Sequence, residues 1–230
     1  MNLKNPGQLE KAKLEDTIIE LLYGKYIHLV LHGGTAIWRC YSGNRFSRDL
    51  DFYLDAKNIT EKMKYYKEIA KFLQDYGFVI KEKGYSNSTN TMHFLVEIAE
   101  TKMKININFN YKKGAPVEYL KVDGSKIIIL SLNPLKLLNE KIEAYNDKFD
   151  NEGSFKHPEA HDLYDIWYLT TQIKKRDVST IKKLKLLINK IKKHPPVDIN
   201  SLGHLIISGV PPSFDFIIDK LKKWVNDNNQ

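Results

Sequence analysis

Cysteine is almost absent: Cys40 stands alone among 230 residues. The chain can form no internal disulfide, which points to a reducing compartment. Long apolar runs are missing as well. No stretch approaches the roughly 20 residues that a bilayer-spanning helix needs, and the first residues lack the apolar core of a secretory leader. The expectation is a cytoplasmic protein with no membrane partner. No internal repeat and no low-complexity segment is found, and His28, His32, His93 and His204 fall at no spacing that suits a metal centre.

What is present is basic charge. Lys and Arg number 36 against 28 Asp and Glu, a net charge of +8 with a pI near 9.2. That balance favours an anionic partner, nucleic acid or nucleotide, although scattered lysines alone give the same total. The length allows a real core, as one domain or two small ones.

Periodicity divides the chain near residue 130. Before it, a helix is expected over 8–24 with Gly24 as its stop, then a short apolar strand Ile27–Leu31, the break Gly33-Gly34, and a short helix over 35–41. Leu50, Phe52 and Leu54 alternate with Asp49, Asp51 and Tyr53, a strand with one polar face. A helix over 58–76 follows, capped by Asn58 or Thr60. After it come a strand over 78–83, a polar loop over 84–90, and an antiparallel hairpin of 91–99 with 104–109. A second hairpin closes through Asp123-Gly124, a type I′ signal. After it the pattern is helical. Pro134 opens a helix with Leu135, Leu138, Ile142, Tyr145 and Phe149 as its apolar stripe. A polar loop at 150–156, a helix from His157-Pro158 to about Gln172, a lysine-rich helix capped by Asp177 or Ser179, and a last helix over 213–226 complete it. The expected domains are 1–130, mixed α and β, and 131–230, helical.

Residues two apart on a strand share a face, so Asp49 and Asp51 stand side by side near a glycine turn. Such carboxylates repel each other unless a cation lies between them; the bland alternative is an exposed strand face that binds nothing. Gly33 and Gly34 let backbone N–H groups approach a phosphate at a helix start, or merely make a tight turn. Thr35 caps that helix or touches phosphate. Asp162 and Asp165, three apart, share a helix face, where negative charge also suits the first turn of a helix.

Gly33-Gly34-Thr35-Ala36 followed by Arg45-Phe46-Ser47-Arg48-Asp49-Leu50-Asp51 resembles the signature of the AbiEii/AbiGii-type nucleotidyltransferase toxins, members of the DNA polymerase β-like superfamily. Leu137-Leu138-Asn139-Glu140-Lys141-Ile142-Glu143-Ala144 and His161-Asp162-Leu163-Tyr164-Asp165-Ile166 resemble two later motifs, in the right order. The resemblance covers about residues 25–170. It implies an α+β fold, a mixed sheet flanked by helices, with a C-terminal helical domain that contributes to the active site. It implies Mg²⁺ or Mn²⁺ as cofactor, an NTP as substrate, transfer of NMP to an acceptor such as RNA, and a cognate antitoxin. MenT-type relatives add nucleotides to tRNA 3′ ends.

By position, the resemblance implies that Asp49 and Asp51 hold the metal and, with Lys141 and Asp162, carry the catalysis. Gly33, Gly34, Thr35, Arg45, Ser47 and Asp165 would contact or order the nucleotide. Ser47 is also the position where phosphorylation would block the site. Lys141 read alone is equally a surface lysine paired with a nearby Glu. The family's arginine is His161 here. Superfamily enzymes often carry a third carboxylate on a later strand; Lys104-Ile-Asn-Ile-Asn-Phe109 has Asn106 and Asn108 instead, so Asp162 or Glu97 would have to complete the set. That departure keeps two alternatives open: a catalytically weak or inactive nucleotide- or nucleic-acid-binding module, and an antitoxin-like protein partner. Tyr164, Trp167 and Tyr168 read as helix packing. The lysines at 182–193 are a solvated face or an RNA-backbone contact.

Overall fold

The computed structural model describes residues 3, 5–150, 159–196 and 198–227. The helix start expected at His157-Pro158 and, past Asp150, the expected polar loop lie outside the described residues. The chain divides into two compact units, Met1–Ser42 with Phe46–Leu132, and Gly43–Arg45 with Asn133–Gln230. Among the described residues no helix is long and apolar enough to cross a membrane.

The first unit is built on a seven-stranded mixed sheet. Its strands are β1 (Val30–His32), β2 (Asp49–Tyr53), β3 (Val79–Ser86), β4 (Thr91–Ile98), β5 (Thr101–Asn108), β6 (Ala115–Leu120) and β7 (Lys126–Ser131), in the order β3-β4-β5-β2-β1-β7-β6. The β2–β5 and β1–β7 pairs are parallel and the rest antiparallel. Three helices complete the unit: α1 (Pro6–Lys25), α2 (Gly33–Cys40) and α3 (Ile59–Asp75).

Alternation decides which sheet face is covered. Leu50 and Phe52 of β2, Met103, Ile105 and Ile107 of β5, and Met92, Phe94 and Val96 of β4 are buried. Tyr23 of α1 meets Phe52 edge-on at 6.2 Å, and Tyr66 of α3 stacks on Phe94 at 5.4 Å, so these two helices cover the apolar face. Each such large side chain contributes roughly 1.5–3 kcal/mol on burial. The intervening residues, Asp49, Asp51, Lys104, Asn106 and His93, are left on the other face.

A buried charge network ties α1, α2 and β6 together. Arg39 is wholly buried and pairs with Asp16. Tyr119 Oη donates to Asp16 Oδ1 at 3.0 Å, accepts from Arg39 Nε at 3.1 Å, and the Val122 N–H donates to Asp16 Oδ2 at 2.8 Å. Removing one partner of such a pair typically costs about 3–5 kcal/mol.

Several local expectations change. Gly24 does not stop α1, which runs on to Lys25; the Tyr26 N–H closes the end on the Leu22 carbonyl at 2.7 Å. Ile27 is 62% exposed and lies before β1, whereas Leu29 to Leu31 are buried. Strand β3 continues to Ser86 because Tyr85 and Ser86 find ladder partners in Met92 and Thr91. At Asp123-Gly124 only Gly124 has positive φ, so the turn is not type I′. The Gly124 N–H bonds to the Lys121 carbonyl and the Lys121 N–H to the Ser125 carbonyl, a type I turn closed by a glycine bulge. The I′ geometry occurs instead at Ala99 and Glu100, both at positive φ between β4 and β5.

The second unit is helical: α4 (Pro134–Asp150), α5 (Ala160–Gln172), α6 (Val178–Lys193), a 3₁₀ turn (Ile199–His204) absent from the sequence expectations, and α7 (Phe214–Asn226). Asp177 caps α6 through the Thr180 N–H, and Ser213 caps α7 through the Phe216 N–H. Leu137, Leu138, Ile142 and Tyr145 form the buried stripe of α4; the side chain of Phe149 lies outside the described residues. Residues 43–45 belong to this unit: Asn44 bonds Ser208 through its side chain, and Arg45 bridges Ile206.

Candidate active site

Asp49 and Asp51 are half-buried on the polar face of β2. Burial and the neighbouring Asp51 charge hold the Asp49 carboxyl above its ordinary range, against Lys11, Lys104 and Arg48, which pull it down. Thr35 Oγ1 donates to the Asp49 carbonyl at 2.7 Å, so this buried threonine pins β2 rather than capping a helix. Asn106 Nδ2 donates to Asp51 Oδ1 at 2.8 Å. Gly33 has φ of 71°, and a Cβ there would fall 2.6 Å from Asp51 Oδ2. Only glycine serves at 33, on both counts. Gly34 is buried in the first turn of α2.

The pair stands in a row that crosses five strands. His32 is registered with Asp51, Asp51 with Asn106, Asn106 with His93, and His93 with Gly84. Four of these residues line a cavity of about 520 Å³, together with Glu82, Ser86, Thr89, Thr91, Lys104 and Asn108. His32 is held by stacking on Tyr53 at 4.0 Å. Sequence reasoning set His32 and His93 aside for lack of ligand spacing, and missed Lys104 and Lys11. Strand alternation was the signal available for His93, Lys104 and Asn106.

The second unit carries a different aspartate pair. Lys141 Nζ lies 2.8 Å from both Asp162 Oδ1 and Asp165 Oδ2. Lys148 Nζ lies 2.7 Å from Asp162 Oδ2. Arg45 makes a bidentate pair with Asp165, Nε–Oδ1 2.8 Å and Nη2–Oδ2 2.7 Å. These cations outweigh burial and hold both carboxyls below their ordinary range, while the carboxylates hold the Lys141 ammonium above its own. His161 is held below its ordinary value, chiefly by burial. Lys148 was missed; it sits seven residues after Lys141, two turns along the same helix face.

Arg45 is buried and paired with Asp165. Ser47 is buried and precedes β2, so a modifying enzyme could not reach it without local opening. Glu97 is engaged by Lys81 and Lys102, four residues along β4 from His93, and does not complete the row. Glu159, His161 and Asp162 bring ligand atoms within 4.8 Å of one another. Both oxygens of Asp162 already accept ammonium groups, so a dication there would meet two positive charges. Tyr164 is buried against Trp167 and Tyr168, as packing requires.

Two solved structures share this fold. One is JHP933 from Helicobacter pylori, at a TM-score of 0.64 and 16% identity over 96% of this chain and 91% of that one. The other is MenT4, a nucleotidyltransferase toxin from Mycobacterium tuberculosis H37Rv, at 0.62 and 15% over 96% and 83%. At such identities the likeness is one of fold. Among curated protein sequences nothing matches the chain. The family model described as "Nucleotidyl transferase AbiEii toxin, Type IV TA system" matches residues 21–217. The chain belongs to this AbiEii toxin family and is a nucleotidyltransferase.

Proposed function

We propose that the chain transfers NMP from an NTP to an RNA acceptor, with tRNA the first to test, in a reaction that needs Mg²⁺ or Mn²⁺, and that a cognate antitoxin restrains it. The observation that carries this reading is the carboxylate pair Asp49 and Asp51 on one face of β2 beside Gly33, with Asp51 lining the polar cavity. Two carboxylates on one face, one disfavoured as an anion, are the donor set that a hard dication takes. Asp49 and Asp51 would hold it. When bound, such an ion neutralises charge developing on the transferring phosphate.

The chain's own residues do the rest. Gly33 leaves room for the Asp51 carboxylate, Thr35 holds the Asp49 backbone carbonyl, and Asn106 donates to Asp51. Lys104 and Lys11 supply positive potential near Asp49. For Lys141 and Asp162 we keep the roles that the resemblance implies, a cation for phosphate charge and the acid that orients it, with Asp165 and Arg45 ordering both. The net charge of +8 supports an RNA acceptor.

The test is incubation with each labelled NTP, Mg²⁺ and total tRNA, with Asp49→Ala as control. Label should appear on RNA with at least one nucleotide and vanish in the variant. No transfer with any of the four by demonstrably folded protein sinks the reading. Asn106 beside Asp51 favours one alternative, a binding module without turnover, in which NTP or RNA binding would survive Asp49→Ala.

A further inference from the structure

A hydroxyl that attacks the α-phosphorus must lose its proton. On one side of Asp51 stand Gly33, with no side chain, and His32, whose ring is stacked on Tyr53 at 4.0 Å. On the other stands Asn106, whose amide accepts no proton at neutral pH and already donates to Asp51 Oδ1. The next group along the row is His93. Two strand spacings, about 10 Å, separate its backbone from that of Asp51, with Asn106 between them and the shared cavity in front. Its imidazole packs against the β3 backbone: a Cβ at Gly84 would fall 2.4 Å from His93 Cε1 and 2.6 Å from Nε2. Glycine at 84 thus lets the ring lie along the cavity wall. The ring lines the same cavity as Asp51 and Asn106. The other titratable groups on that wall are Glu82 on β3, Lys104 on β5 and His32 on β1.

We propose that His93 is the general base for the acceptor hydroxyl, with Gly84 as the residue that positions its ring. The inference rests on the nucleotidyltransferase reading above. In the step, the acceptor O–H passes its proton to the unprotonated ring nitrogen of His93, directly or through one water. The oxygen forms a bond to the α-phosphorus, and the bond from that phosphorus to the oxygen bridging to the β-phosphate breaks. Pyrophosphate leaves with the electron pair, and the imidazolium later returns its proton to solvent.

The experiment compares wild type, His93→Gln, Gly84→Ala and the double variant His93→Gln with Asn106→Asp, using labelled NTP and total tRNA across pH. NTP binding and circular dichroism are followed in parallel. His93→Gln should lower kcat by about a hundredfold or more, leave NTP affinity nearly unchanged and remove the acidic limb of the pH profile. Gly84→Ala should lower kcat in the same direction by less. Placing a carboxylate at 106 should restore about tenfold or more of the lost rate. Retained kcat and an unchanged acidic limb in folded His93→Gln, or no recovery in the double variant, would overturn the assignment. If wild type transfers nothing to any acceptor, the nucleotidyl-transfer reading itself fails. If wild type transfers and His93→Gln does so equally, only the base assignment fails.

Discussion

Asp49 with Asp51 and Asp162 with Asp165 are two aspartate pairs in opposite electrostatic states. The first pair sits on a strand face, and Asp49 is held above its ordinary pKa by burial and by its neighbour's charge. The second pair is enclosed by Arg45, Lys141 and Lys148, and both carboxyls are held below their ordinary range. Residue type and spacing do not separate these cases, since both pairs are close in sequence and share a face. What separates them is the balance: the cations at Asp162 and Asp165 outweigh burial, and those at Asp49 do not. On the proposed reading the first pair takes a metal ion, and the second holds its lysines in place.

The largest effect expected from this contrast is on turnover. Asp51→Asn should lower nucleotidyl transfer by about a thousandfold or more, since the charge it anchors is worth several kcal/mol in the transition state. Single-turnover measurement with labelled NTP would check it, and near-normal rates would erase the distinction between the pairs.

Next comes Asp165→Asn, which strips a bidentate partner from buried Arg45 and should destabilise the helical unit by about 3–5 kcal/mol. Urea unfolding followed by Trp167 and Trp224 fluorescence would measure it. A loss below about 1 kcal/mol, as for an exposed pair, would show that the cluster is not the buried network described.

Metal linkage should be smaller and one-sided. At Mg²⁺ a hundredfold above its dissociation constant, the wild type should gain about 2.7 kcal/mol of stability. Asp49→Asn should remove that gain, and Lys148→Met should leave it.

The smallest effect is the most diagnostic in sign. Asp162 and Asp165 have lowered folded pKa values, so their stabilisation is fully present above the unfolded value near 3.8 and is lost as pH falls toward the folded values. Asp49 has a raised value, so its effect runs the other way. Above pH 3.8 the unfolded chain releases this proton first, and stability falls as pH rises toward the folded value. Asp49→Asn should therefore raise stability at neutral pH relative to acid. Lys148→Met should blunt the acid loss. Urea midpoints from pH 3 to 8 would show both slopes; slopes of the same sign would break the comparison.

Much of this was legible in the residues. Alternation in β2 placed Asp49 and Asp51 on one face, and motif order identified the family. The row was not legible, because the parallel pairing of β2 with β5 joins residues 55 apart and nothing local sets that register. The partner of Arg45 was not legible for the same reason: Asp165 lies 120 residues away. Lys148 was legible in principle from its spacing to Lys141. At Asp123-Gly124 the dipeptide announces a hairpin, but the loop length, not the dipeptide, decides the turn type.

The most direct test is a Mn²⁺ titration, followed by calorimetry or electron paramagnetic resonance, on wild type, Asp51→Asn and Asp162→Asn. The account predicts that Asp51→Asn loses the site that wild type shows, while Asp162→Asn binds Mn²⁺ as wild type does. Loss of binding in Asp162→Asn with binding intact in Asp51→Asn would place the cation on the other pair and contradict it.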